Sequence, residues 1–171
     1  MTSDLDLSTQ QGATQTLTSP ALDTQLEQQL EIQIEKAQHS GELLTVVSME
    51  LNDPDFFLHA YGTHGVDGVL HTVEECWQAV HRDGDILTRY GDAGFIALLP
   101  NADAHAALEI CSGLAANIDK KPYQSPDVRE IPVGLSFGAA VFPHDGSTLN
   151  QLLAVAVANG DEAKRGSAPS N

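Results

Sequence analysis

Apolar residues recur along this chain at two spacings, and the alternation between them lays out the elements. Leu22, Leu26, Leu30, Ile34 and Ala37 fall at helical intervals and stop at Gly41, a residue that ends helices. Leu43 to Leu51 is a short Val/Leu-rich run with the length of a buried strand. Asn52-Asp53-Pro54-Asp55 has proline in a first helical turn, where its missing N–H costs nothing. Val66, Val69, Leu70, Val73, Cys76, Trp77 and Val80 then form the longest apolar stripe in the chain and predict a second helix after that start. Ile86–Tyr90 and Phe95–Leu99 read as strands, and Gly91-Asp92-Ala93-Gly94 between them as a tight β-hairpin turn. Ala104, Ala107, Leu108, Cys111, Leu114, Ala115 and Ile118 predict a further helix. Val133, Leu135, Phe137, Ala139 and Val141 alternate at period two, which predicts a strand with one face on the core. Leu149 to about Lys164 predicts a last helix. The order α, β, α, α, β, β, α, β, α gives an α/β (α+β) fold: a sheet covered by helices, with at least one antiparallel pair at the hairpin. No internal repeat is visible.

The ends of the chain change this picture little. Residues 1–19 are rich in Ser, Thr and Gln and read as a flexible leader, with residues 167–171 as a short tail and one domain over 20–166. Charge matters more. Eight basic residues stand against 24 acidic ones, a net charge of −16, which disfavours nucleic acid and anionic membrane as partners. Cys76 and Cys111 lie inside apolar helical patterns with no metal-ligand or redox spacing, so buried thiols are expected. No apolar run reaches the ~18 residues of a membrane span. The first residues lack the basic-then-apolar order of a signal peptide, so a cytoplasmic location is expected. His59, His64, His71 and His81 show no paired ligand spacing, and no metal site is expected. No P-loop, nucleophile elbow or Cys–His pairing is present.

Several short motifs lie in order along this layout. Arg89-Tyr90-Gly91-Asp92-Ala93-Gly94-Phe95, followed by an apolar strand, resembles the Arg-aromatic-GGDEF hairpin of the diguanylate cyclase (GGDEF) family. Tyr61-Gly62-Thr63-His64-Gly65-Val66-Asp67-Gly68-Val69-Leu70 is similar to that family's Y-G-H-x-x-G-D-x-x-L. Val133-Gly134-Leu135-Ser136-Phe137-Gly138 is similar to its late S-x-G strand, Ala163-Lys164-Arg165-Gly166 to its terminal A-K-x-x-G, and Leu17-Thr18 to its opening D-x-L-T. The resemblance implies a ferredoxin-like, nucleotidyl-cyclase palm with a central, mostly antiparallel sheet.

In the positions that carry the family's chemistry the resemblance breaks down. Joining two GTP molecules into cyclic di-GMP is phosphoryl transfer, which rests on metal ions and positioning, and Mg²⁺ requires hard oxygen ligands. The family's strand-end Asp falls on Glu50, and the two acidic positions of its loop fall on Ala93 and Gly94. The second loop glycine has become Asp92, a carboxylate facing the place of a phosphate. The guanine-contacting Asn falls on Leu58, the Asp after it on His59, and a preceding Lys on Asp55. Asp67 and Lys164 survive from the substrate-binding set; each also has an ordinary role, Asp67 in the first turn of a helix and Lys164 in a last turn. The resemblance therefore implies a degenerate domain with no catalytic residues and no resident metal or other cofactor.

One further motif fits the family at the correct offset. Arg82-Asp83-Gly84-Asp85 matches the R-x-x-D of its inhibitory site, which binds cyclic di-GMP. A guanidinium grips phosphate or a guanine edge with two hydrogen bonds. In this reading Asp85 accepts from guanine and Arg89 adds charge nearby; two of the four arginines lie within eight residues. The ordinary reading is an Arg–Asp pair closing a turn. The expectation is a catalytically inactive receptor or regulatory domain in bacterial cyclic di-GMP signalling, with a protein partner in that pathway. Its alternatives are a docking or dimerisation domain that binds no nucleotide, and a regulatory GTP-binding domain. A following phosphodiesterase-like domain and a homodimer remain open.

Overall fold

The computed structural model describes residues 24–127 and 129–167. Helix α1 (Thr24–Ser40) leads into strand β1 (Leu44–Leu51), helix α2 (Pro54–Trp77), the hairpin strands β2 (Ile86–Arg89) and β3 (Gly94–Pro100), and helix α3 (Ala104–Asp119). Two-residue strands β4 (Tyr123–Gln124) and β5 (Glu130–Ile131) follow, then β6 (Leu135–Phe142) and helix α4 (Leu149–Ser167). The main sheet has the order β2-β3-β1-β6, and every neighbouring pair is antiparallel. This is the ferredoxin-like palm expected from the sequence. Among the described residues no helix is long and apolar enough to cross a membrane.

The two helices expected between β1 and the hairpin are both present, joined as two segments of α2. The break is Gly62, whose φ of 72° and ψ of −170° leave helical geometry. Glycine accepts that backbone at little cost. Pro54 sits at the start of α2, where the sequence places it. Val80 lies just beyond the end of α2, in a turn whose N–H groups bond back to Cys76 and Trp77 carbonyls. The small β4/β5 hairpin was not foreseen, because two-residue strands leave no periodicity to read.

The core has two layers of side chains, one on each face of the sheet. On one face Val47, Met49, Leu51, Phe95, Ala97 and Leu99 pack against α2 and α3. On the other Leu44, Val46, Ile96, Leu98, Ala140 and Phe142 pack against Leu30, Ile34 and Ala37 of α1 and Leu152, Leu153 and Ala156 of α4. This corrects the expectation for β6. Its odd residues do face the α2/α3 side, but Ala140 and Phe142 are buried on the other. Small residues at the even positions masked that second face: Ser136 and Gly138 are not apolar signals.

Gly138 has a specific reason to be glycine. A Cβ built there would lie inside van der Waals contact of the Ala156 carbonyl and the Gly160 N–H, and 2.7 Å from Gly160 Cα. Strand β6 and helix α4 thus meet backbone to backbone, and Asn159 Nδ2 donates to the Ala139 carbonyl at 2.8 Å beside them. Both cysteines are free and buried, as the sequence indicates. Burial pushes the Cys111 thiol up to about 12, which leaves it protonated and unreactive.

Candidate functional site

A cleft of about 770 Å³ opens at the carboxyl end of β1, against the hairpin loop, the stretch of α2 from Pro54 to Leu70 and the stretch of α4 from Val157 to Asp161. Pairing of β1 fixes its centre: Glu50 stands opposite Gly94 of β3 on one side and Ser136 of β6 on the other. The loop closes by Tyr90 N–H donating to the Gly94 carbonyl (3.0 Å), with Gly91 at a φ of 74°. Leu51 N–H then ties the loop to β1 by donating to the Ala93 carbonyl (2.8 Å).

The structure gathers Glu50, Asp55, Leu58, Asp67, Arg89, Asp92, Ala93 and Gly94 around this one cleft. The positions that the resemblance names therefore share one cleft. Gly94 is buried, and a Cβ there would sit 2.5 Å from the Met49 carbonyl and 3.1 Å from the Tyr90 carbonyl. The backbone leaves no room for a carboxylate at this position. Glu50 is the one acidic side chain in the three positions where the family holds Mg²⁺. Among the described residues no group of three or more His, Cys, Asp or Glu could hold a metal ion. The residues present do not fit the family's Mg²⁺ ions.

Charge in the cleft runs against a nucleotide. Glu50, Asp55, Asp67, Asp92 and Asp161 line it, against Arg89 as the cation among the described lining residues, a formal charge of −4. Arg89 is already committed. Its Nε and Nη2 donate to both oxygens of Glu74 (3.1 and 3.0 Å), and Nη1 donates to Asp67 at 2.6 Å. These bonds raise the guanidinium pKa, Glu74 contributing most. The hydrogen bond from Arg89, with its positive charge, holds the Asp67 carboxyl below the usual carboxylate range. Asp67 is thus spent on fastening β2 to α2. The side chain of Lys164 lies outside the described residues. His59 is turned back on its own helix, its Nδ1 3.2 Å from the Asp55 carbonyl.

The clamp has a testable pH dependence. Arg89→Ala is expected to lower Tm by about 2–4 °C at neutral pH and low salt, and by less in molar salt, because the pairs are partly exposed. Asp67 is depressed in the folded state, so its contribution is present above the unfolded carboxylate pKa and lost as pH falls through the folded one. Melting curves of wild type and variant should converge below about pH 4.

Arg82 and Asp85 lie elsewhere, at the other end of β2. Arg82 Nε and Nη2 donate to the two oxygens of Asp85 (3.1 and 2.9 Å), its backbone N–H adds a third bond at 2.8 Å, and Nη2 also reaches the Pro100 carbonyl at 2.9 Å. The Asp85 side chain is 0% exposed and that of Arg82 41%. The Asp85 carboxylate is thus taken up inside the chain, while the Arg82 side chain stays partly open to solvent. Arg89, expected beside them, is at the cleft instead. Sequence reasoning missed Glu74, although it stands seven residues from Asp67 on the same face of α2, which was a readable signal. It also missed Val157 and Asp161, which only the docking of α4 brings to the cleft.

Comparison with known proteins agrees with this geometry. The family model for the diguanylate cyclase GGDEF domain matches residues 16–168. Diguanylate cyclase A of Treponema denticola is 30% identical over 109 residues, 62% of this chain and 29% of its own length. MucR of Pseudomonas aeruginosa, a bifunctional diguanylate cyclase and cyclic di-GMP phosphodiesterase, is 30% identical over 128 residues, 75% of this chain and 18% of its own length. The chain therefore spans less than a third of the length of these curated relatives. Among solved structures the GGDEF domain of YfiN (TpbB) from P. aeruginosa superposes with a TM-score of 0.78 at 25% identity, covering 87% of this chain and 92% of that one. In motif order, sheet topology and overall match, the chain belongs to the GGDEF domain family of diguanylate cyclases.

Proposed function

We propose that this GGDEF domain does not make cyclic di-GMP and serves as a regulatory module in cyclic di-GMP signalling. The observation that carries this reading is the cleft: five carboxylates, a committed arginine, and glycine and alanine at the loop's two acidic positions. Each like charge about 5 Å from a triphosphate costs roughly 1–3 kcal/mol at the surface. Several act here at once, without metal ligands to offset them. Purified protein incubated with GTP and Mg²⁺ is expected to yield no cyclic di-GMP by chromatography; steady product formation would end this reading.

Within that role, Arg82 supports a receptor for cyclic di-GMP. The bonds to Asp85 and Pro100 hold the guanidinium in place and leave Nη1 to grip a phosphate or a guanine edge. Asp85 then acts as the residue that positions Arg82. The closed pair favours a second reading, protein docking without nucleotide, since a buried carboxylate offers nothing to a base. Calorimetry separates them. The receptor reading expects heat with cyclic di-GMP on the wild type and none on the double variant Arg82→Ala, Asp85→Ala, which leaves no buried charge behind. A silent wild type would favour docking.

A further inference from the structure

We propose that the cleft is a docking groove for a basic, amphipathic segment of a protein partner, an inference that rests on its being non-catalytic. Its walls carry Met49, Leu58, Val66, Leu70, Tyr90 and Val157. Leu58, at the position where the family reads guanine, is 45% exposed, and Phe56 on the same short segment of α2 is 51% exposed. Large apolar side chains left open beside a cavity of this size are what a binding site for another molecule presents. Glu50, Asp55, Asp67, Asp92 and Asp161 lie among them. The Arg89 guanidinium is paired with Asp67 and Glu74, so the lining keeps its net formal charge of −4 toward a ligand.

The charge selects the occupant. The chain's own residues 1–23 hold three aspartates and no lysine or arginine, so they do not complement the cleft. A second copy carries −16 to a surface of the same sign. Nucleic acid and anionic membrane are repelled for the same reason. A cation is therefore required, and the apolar walls require that it bring hydrophobic side chains. An amphipathic helix or strand of another protein, with Leu- or Phe-like residues flanked by Lys or Arg, meets both conditions.

The test uses a fluorescently labelled Leu/Lys amphipathic peptide followed by anisotropy, with a Leu/Glu peptide, oligolysine and spermidine as comparisons. The Leu/Lys peptide is expected to bind and the Leu/Glu peptide not. Affinity should fall roughly tenfold or more in Asp92→Lys, Asp161→Lys, and several-fold in Leu58→Gln. Glu31→Lys, Glu35→Lys, the same charge change on the exposed face of α1, should lose much less. Equal loss in both double variants reduces the effect to net charge and overturns the proposal. So does binding unaffected by Leu58→Gln, oligolysine or spermidine binding as tightly as the peptide, or no peptide binding at all. All substitutions are at exposed positions, and melting curves verify the fold of each variant. Failure of the non-catalytic reading appears separately, as cyclic di-GMP formed from GTP with no peptide present.

Discussion

Gly138→Ala is expected to destabilise the domain by roughly 3 kcal/mol or more, about 10 °C in Tm for a chain of this size. The added methyl would overlap the Ala156 carbonyl and the Gly160 backbone at once. None of these atoms can rotate away as a flexible side chain would. Relief requires α4 to lift off β6, which opens the packing of Leu152, Leu153 and Ala156 against the sheet. Thermal or urea unfolding of the variant measures the effect. A loss below about 1 kcal/mol would mean that helix and strand separate more easily than their contact implies. Gly160→Ala makes a useful comparison: a Cβ there meets its nearest neighbour, Gly138 N, at an ordinary 3.5 Å and should be tolerated better.

Gly94→Glu, the substitution that puts an acidic residue back into the signature loop, is expected to do harm and no good. It should cost about 2–3 kcal/mol, because the new Cβ falls 2.5 Å from the Met49 carbonyl in the central strand. It should also leave cyclic di-GMP formation undetectable. On the proposed non-catalytic reading, Ala93, Leu58 and Asp55 still lack the chemistry that a nucleotide and its metal ions require, and Asp67 remains in the grip of Arg89. A unfolding curve together with a product assay checks both parts. Measurable turnover from this single change would show that the rest of the cleft is competent and would reverse the functional reading.

Most of the fold was legible because it is written in period. Leu30, Ile34 and Ala37 mark α1; Val69, Leu70, Val73, Cys76 and Trp77 mark α2; the alternation after Val133 marks β6. What was not legible involves residues whose role depends on a distant neighbour. Gly138 reads as a gap in a strand until α4 is seen against it. Arg89 reads as a ligand-binding cation until Glu74 and Asp67 close on it: the two carboxylates are legible as one face of α2, but their pairing with an arginine fifteen and twenty-two residues on is not. The positions that motif order singled out, Glu50, Asp55, Leu58, Asp67, Arg89, Asp92, Ala93 and Gly94, come together in one cleft. Its electrostatics were understated, because Asp161 arrives from the last helix.

Helix α1 looks from its glutamines and glutamates like a spacer that a protein engineer would trim. Leu30 is wholly buried, and Ile34 and Ala37 nearly so. Expression from residue 41 onward would remove the side chains that cover Leu44, Val46, Ile96 and Leu98. The fragment would present part of that sheet face to water, a surface suited to self-association, even with the whole cleft retained. The smallest soluble unit of this protein therefore begins ahead of the residues that line the cleft, and boundaries drawn from the cleft alone should yield inclusion bodies.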